Sequence, residues 1–401
     1  MDLKLKNILS MFVFLLLVSS SNAQSGVYDV TGANYGGKAN SDITQALSKA
    51  WTDACASTSA SKIVVPSGTY KFVGATFKGP CKAPIEFQLQ GTLQAPEHIK
   101  ELPKEDTWVA FERIDGLTLS GGGTFDGQGA TAWKQNDCHK NKDCKFKAVN
   151  LRFNFITNSI VRGITTKDSK NFHVNLLGCN KLAFQDFTVS APKESVNTDG
   201  IHMGRSTEIN ITDTTIGTGD DCISIGHGTK QLHVTNVTCG PGHGISIGSL
   251  GRTEDEEPVS GIFIKNCTIT NTDNGVRIKT WPASPAKGTA VSDVHFEDII
   301  MDNVKNPVVI DQEYCPHKLC TPEVSSKVKI SNVSFKNIKG SSSGPVGVKL
   351  LCSGKLPCEN VELSNIDLTY TGDKGSITSE CKHVKPTINN VAKPLACATS
   401  S

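Results

Sequence analysis

Leu232-His233-Val234-Thr235-Asn236-Val237 and Ile262-Phe263-Ile264-Lys265-Asn266-Cys267 are copies of one unit, apolar-x-apolar-x-Asn/Asp-apolar, and that unit decides the fold. It stands upstream as Leu182-Ala183-Phe184-Gln185-Asp186-Phe187. Downstream it returns as Val294-His295-Phe296-Glu297-Asp298-Ile299, Val333-Ser334-Phe335-Lys336-Asn337-Ile338 and Val361-Glu362-Leu363-Ser364-Asn365-Ile366. Alternating apolar and polar residues describe a strand with one buried face, and the Asn or Asp that follows is a turn former. From Asn236 onward the spacing between the Asn/Asp positions wanders from 28 to 39 residues, within the range of solenoid coils with loop insertions. A unit of several short strands and no helix predicts an all-β chain, a right-handed parallel β-helix whose coils bury their apolar side chains against one another. A β-propeller would need four antiparallel strands per unit, and these units are too short for that.

Working outward, further strand-like runs lie at Val27-Tyr28-Asp29-Val30, Ile63-Val64-Val65-Pro66, Ile85 to Leu89 and Gly116 to Leu119. The spacing of Ile43, Ala46, Leu47, Ala50, Trp51 and Ala54 predicts an amphipathic helix from about Asp42 to Ala54, with Ser41 as its N-cap. Its job is to cover the open end of the strand stack. Lys4 and Lys6 precede the apolar run Ile8 to Val18, and small residues at Ser21-Asn22-Ala23 follow. Residues 1–23 are therefore expected to be a signal peptide and 24–401 a single domain. The apolar run is shorter than the ~20 residues that a bilayer requires, so the mature chain is expected off the membrane, secreted and monomeric. Fourteen cysteines suit an oxidising compartment. The pairs Cys138/Cys144, Cys315/Cys320 and Cys352/Cys358 have the spacing of loop staples, not of a zinc framework. Sequons at Asn210, Asn236, Asn266 and Asn332 are candidate glycosylation sites. A net charge of +2 without a basic run excludes a dedicated nucleic-acid binder.

The chemistry concentrates in Gly217-Thr218-Gly219-Asp220-Asp221-Cys222-Ile223-Ser224-Ile225-Gly226. Aligned with Asp199-Gly200-Ile201-His202-Met203 and His243-Gly244-Ile245-Ser246-Ile247, this run puts Asp199, Asp221 and His243 in one column of successive coils. Like charges stacked in a parallel sheet repel one another unless a proton or a cation relieves them. A structural chain gains nothing from that arrangement, whereas glycosidic hydrolysis requires one protonated and one ionised carboxyl side by side. In Asn274-Gly275-Val276-Arg277-Ile278-Lys279 the two cations alternate with apolar residues and share the outward face, Arg277 in the column of His202, Ser224 and Ser246. Such a pair suits a substrate that carries a carboxylate on each sugar.

Four of these segments, Asn197-Thr198-Asp199-Gly200, Gly219-Asp220-Asp221, Gly242-His243-Gly244 and Arg277-Ile278-Lys279, resemble in order and spacing the motifs of the polygalacturonases, glycoside hydrolase family 28. Gly123 to Gly129 and Val65 to Tyr70 add to the likeness, and Gly240 to Gly248 is similar to the plant, pollen-type members. The resemblance implies a parallel β-helix that hydrolyses α-1,4 bonds of galacturonan, the de-esterified backbone of pectin, with inversion. It implies secretion to the plant cell wall, no cofactor and no metal. By motif, Asp220 is the expected general acid, its proton kept by two ionised neighbours, and Asp199 and Asp221 hold and deprotonate the attacking water. His243 has a supporting catalytic role, Arg277 and Lys279 bind substrate, and Tyr314 resembles the family's substrate-contacting tyrosine. The family pattern also pairs Cys222 with Cys239; Cys381/Cys397 is a further local pair. Pollen-type likeness favours exo over endo attack. The rival functions are a Ca²⁺-dependent pectate lyase, in which the Asp column would hold the ion, and a non-catalytic pectin-binding wall protein. The latter would be expected to lack one of the carboxylates.

Overall fold

The computed structural model describes residues 26–104, 106–137, 141, 148–282, 289–316, 320, 324–373 and 375–397. The expected leader and the Cys138/Cys144 pair lie outside them. The chain is a right-handed parallel β-helix, and the inter-strand ladders pair strands of successive coils in parallel. Eleven strands form one sheet that runs the length of the stack, and the other strands of the coils join in a second, 18-stranded one.

The repeating unit maps onto the long strands of the larger sheet, among them Lys230–Cys239, Val259–Thr270, Ala290–Val304, Lys329–Ser342 and Glu359–Tyr370. Its apolar positions point inward: Leu232, Val234 and Val237 are buried, as are Ile262, Ile264 and Cys267. Its Asn/Asp position is where the strand bends. Asp186, Asn236, Asn266, Asp298, Asn337 and Asn365 all have φ between 49 and 57°. That left-handed conformation is one that Asn and Asp adopt more readily than other residues with a Cβ. The side chains also bond down the stack, Asn365 Nδ2 donating to Asn337 Oδ1 at 2.9 Å and Asn337 Nδ2 to Asp298 Oδ1 at 2.8 Å. All four sequon asparagines are exposed.

Inside, Phe77, Phe111, Phe153 and Phe184 stack coil upon coil with ring centroids 5.3, 5.4 and 6.0 Å apart. Each fully buried ring contributes about 1.5–3 kcal/mol by leaving water. At the N-terminal end the helix Thr44–Ala56 covers the first coils, and all six residues of its expected apolar face are buried. It starts two residues later than expected, and Ser41 is not its cap. The Ser41 hydroxyl donates to Lys38 O, while Asp42 Oδ1 accepts the Thr44 backbone N–H at 2.9 Å and its hydroxyl at 2.6 Å. A carboxylate is the stronger acceptor for a helix's first free N–H. Trp51 anchors the helix, its ring 4.9 Å from Phe77 and its Nε1 donating to Lys78 O at 3.2 Å. Trp51→Ala should cost about 3–5 kcal/mol, read as a lower denaturant midpoint.

Five disulfides join described cysteines: Cys55–Cys81, Cys222–Cys239, Cys315–Cys320, Cys352–Cys358 and Cys381–Cys397. The first, which ties the end of the helix to the loop beyond Lys78, had no signal in the sequence. Cys179 and Cys267 are free and buried, acting as small apolar residues.

Candidate active site

Four strands of the 11-stranded sheet carry the site: Ile201–Gly204, Ile223–Ile225, Ile245–Leu250 and Asn274–Thr280. Their register is Ile201↔Ile223↔Ile245↔Val276, which sets Asp199, Asp221 and His243 at one level two residues before each of the first three strands. The backbone holds that level, Gly200 N–H donating to Asp221 O at 2.9 Å and His243 N–H to Asp220 O at 2.7 Å. The expected column is therefore present, and so is the one running His202, Ser224, Ser246, Arg277.

The turn before the paired carboxylates is locked from the neighbouring coil. Thr198 Oγ1 accepts the Gly219 N–H at 3.1 Å and the Thr218 hydroxyl at 2.7 Å, and it contacts Ser195 Oγ at 2.6 Å. A Cβ on Gly219 would lie 1.9 Å from Ser195 O, so no other residue fits so close an approach. Cys222–Cys239 braces the far side of the same turn.

The three carboxyls differ in their surroundings. Asp221 is 1 % exposed and accepts from Lys279 Nζ at 2.7 Å, Arg277 Nη2 at 2.8 Å and Ser246 Oγ at 3.0 Å. Burial by itself would push its carboxyl up, but the Lys279 and Arg277 charges outweigh burial and hold it below the usual carboxylate range. Asp199 is driven the other way, well above that range, by burial first and then by the charges of Asp220 and Asp221. Asp199 and Asp221 are thus driven in opposite directions, because the Arg277 and Lys279 side chains both pair with Asp221. Asp220 uses Oδ1 twice, toward His243 Nδ1 at 2.9 Å and the Asp221 N–H at 2.8 Å.

His243 thus pairs with Asp220 and not with the Asp221 of its own column; its Nε2 lies 3.6 Å from Asp273 Oδ2. The Asp220 bond raises its pKa above the ordinary 6.5, against the opposing effect of burial. Because the folded value is the higher one, this pair stabilises the fold fully below about pH 6.5, and the contribution is lost as pH rises through the folded value. An NMR titration should place the His243 midpoint above 6.5, and Asp220→Asn should move it down.

Arg277 and Lys279, the expected substrate cations, each give one donor to Asp221. Tyr314 lies beside them, with its ring centroid 5.3 Å from Lys279 Nζ and 5.9 Å from the Arg277 guanidinium carbon, edge-on to Trp281. Lys279 and Tyr314, with the three carboxyls, line a cleft of about 510 Å³. Its walls hold residues that the sequence reading did not single out, among them Arg152, Phe172, Asn175, His227 and Glu256. Arg152 and Asn175 continue the His202 column upstream, a signal that strand register makes visible. The others come from loops and have none. His202 stacks on Phe172 at 4.8 Å, contacts Ser224 Oγ and is held neutral, its pKa lowered to about 4 by burial and by Lys279.

Asp220, Asp221 and His243 bring ligand atoms within 4.8 Å of one another, the one such cluster among the described residues. The set fits Ca²⁺ poorly. That ion takes 6–8 oxygen ligands, and both carboxylate oxygens of Asp221 already face a cationic side chain.

Residues 55–397 match the family described as Glycosyl hydrolases family 28. The chain belongs to that family. It is 55 % identical to a polygalacturonase of Medicago sativa, over 94 % of this chain and 90 % of that one. It is 56 % identical to an exopolygalacturonase of Oenothera organensis, over 90 % and 99 %. Among solved structures, endo-xylogalacturonan hydrolase of Aspergillus tubingensis superposes with a TM-score of 0.74 at 22 % identity, covering 93 % of this family 28 chain and 98 % of its own. An exopolygalacturonase of Thermotoga maritima gives 0.72 at 15 % identity, covering 91 % and 92 %. At such identities the superpositions speak for the fold.

Proposed function

We propose that the chain is a secreted polygalacturonase that hydrolyses α-1,4-galacturonosyl bonds of de-esterified pectin with inversion, attacking from the chain end. The observation that carries the reaction is the division of three adjacent carboxyls into one held ionised, one pushed toward protonation and one paired with a histidine. Asp220 is the general acid. With Oδ1 turned to His243 and the Asp221 amide, Oδ2 is left for the leaving oxygen, and the His243–Asp220 pair holds the proton that this oxygen takes. Asp199 and Asp221 together hold the attacking water and take its proton. The other donors of Arg277 and Lys279, with the Tyr314 ring, receive the carboxylate of a sugar beside the scissile bond.

Exo attack is supported by relatives of that name in Oenothera organensis and Platanus acerifolia, beside others named polygalacturonase without qualification. Disulfides support secretion to the cell wall. No helix among the described residues is long and apolar enough to cross a membrane. Exposed sequon asparagines are the glycosylation candidates, and the enzyme is taken to act as a monomer.

The test is a polygalacturonate digest followed from its first minutes. Free galacturonate from the start with slowly falling viscosity is expected, and NMR should show the β-anomer first. Mixed oligomers with rapid viscosity loss would make the attack endo. An ultraviolet-absorbing unsaturated product whose formation stops with a chelator would replace hydrolysis by lyase chemistry.

A further inference from the structure

The cleft binds a polyanion, on the reading above, yet it is lined at the reaction centre by three acids. Among the described residues Lys279 and Arg152 are the fixed cations of its wall, and Arg277 stands beside them, paired with Asp221 at 2.8 Å. The Lys279 charge is offset by Asp221 at 2.7 Å, and His202 is neutral. Arg152 differs. Its partner is Asp106, through Nη1 to Oδ2 at 3.1 Å and Nη2 to the backbone O at 3.2 Å, and the Asp106 side chain is 54 % exposed. Pairs exposed to that degree contribute little. Among the described residues the buried guanidinium Nε also has no partner, so the resting pose leaves that donor desolvated and unused by them. A guanidinium so placed loses little by turning to a better anion.

We propose that Arg152 is a carboxylate-binding residue of this cleft, holding the charged group of a galacturonosyl unit remote from the scissile bond. The proposal rests on the galacturonan reading and deepens it. Position follows from register. Arg152 pairs with Asn175, Asn175 with His202 and His202 with Ser224, so three strand steps separate it from the coil of the catalytic turn. At about 4.8 Å per step that is roughly 14 Å along the stack, farther than one sugar ring reaches. The carboxylate it meets therefore belongs to a different sugar from the ones that Asp220 and Lys279 touch. Arg152 then makes binding depend on chain length, and Asp106 keeps the guanidinium in place while the cleft is empty.

The experiment uses the full chain with Asp220→Asn, slow enough to titrate with oligogalacturonates from dimer to hexamer by calorimetry. Adding Arg152→Gln should raise Kd about tenfold or more for the longest oligomers and much less for the dimer, the loss of one charge-assisted contact. Arg152→Lys should recover part of the affinity. Asp106→Asn, which frees the guanidinium, should bind the hexamer at least as tightly as the parent. A loss equal on dimer and hexamer, no loss at all, or the same loss from Asp106→Asn would overturn the assignment of Arg152. Failure of the Asp220→Asn parent to bind any oligomer would instead remove the galacturonan reading, and this proposal with it.

Discussion

Asp220→Asn is expected to lower kcat on polygalacturonate by about 10² or more while the thermal midpoint barely moves. The structure gives the reason for both halves. Asn keeps an Oδ1 to accept the Asp221 amide, so the turn retains its bond, and the Asp220 side chain is already 22 % exposed and bears no ion pair to a fixed cation among the described residues. What is lost is a group that can release a proton to the leaving oxygen. A second readout separates this from a binding defect: KM should change far less than kcat, because the substrate's own charges are met elsewhere in the cleft. Near-normal turnover would move the acid to another residue, and Asp199, whose carboxyl is pushed up, would be the next to test.

Asp221→Ala should abolish activity and also destabilise the protein. Asp221 lies between Arg277 and Lys279, whose side chains are only 12 % and 10 % exposed. Removing the anion leaves two nearly buried cations facing each other with no counter-charge. Breaking a buried pair by deleting one partner costs about 3–5 kcal/mol. The contrast with Asp220 is the point of the comparison, since adjacent residues of one turn are expected to separate a catalytic loss from a structural one. Equal denaturant midpoints for Asp221→Ala and the wild type would mean that the two cations find other partners or water, and that the ion pairs do not hold the coils together.

The architecture was legible because it rests on local, repeated signals. The hexad put apolar residues at alternate positions and Asn or Asp at the bend, and each of those six Asn/Asp residues has the left-handed φ that the repeat demands. Column register was legible too, since coils of a parallel stack align by their apolar pattern; Asp199, Asp221 and His243 follow from it. What escaped was direction within the column. Sequence placed Arg277 and Lys279 near acids but could not say that both reach Asp221, two coils away, or that His243 turns toward Asp220. Those outcomes depend on side-chain length and on which carboxyl is deepest. Cys55–Cys81 escaped for a similar reason, being set by where the helix packs. Ser41 was mistaken for a cap because a hydroxyl there is as plausible locally as the Asp42 carboxylate that does the work.

Each coil touches chiefly its two neighbours, and that gives the protein an expendable end. The acids, the histidine and both cations lie between Asp199 and Lys279, and from the strand Asn306–Asp311 onward the site draws, among the described residues, on Tyr314 alone. The coils built on Lys329–Ser342 and Glu359–Tyr370 lie farther along, fastened by Cys352–Cys358 and Cys381–Cys397. In a one-dimensional stack opening begins at the termini and advances coil by coil, with the outermost units the least protected. Fraying and proteolytic nicks arriving from the C-terminal side therefore consume coils that do no chemistry first. Loss of catalysis lags behind loss of structure.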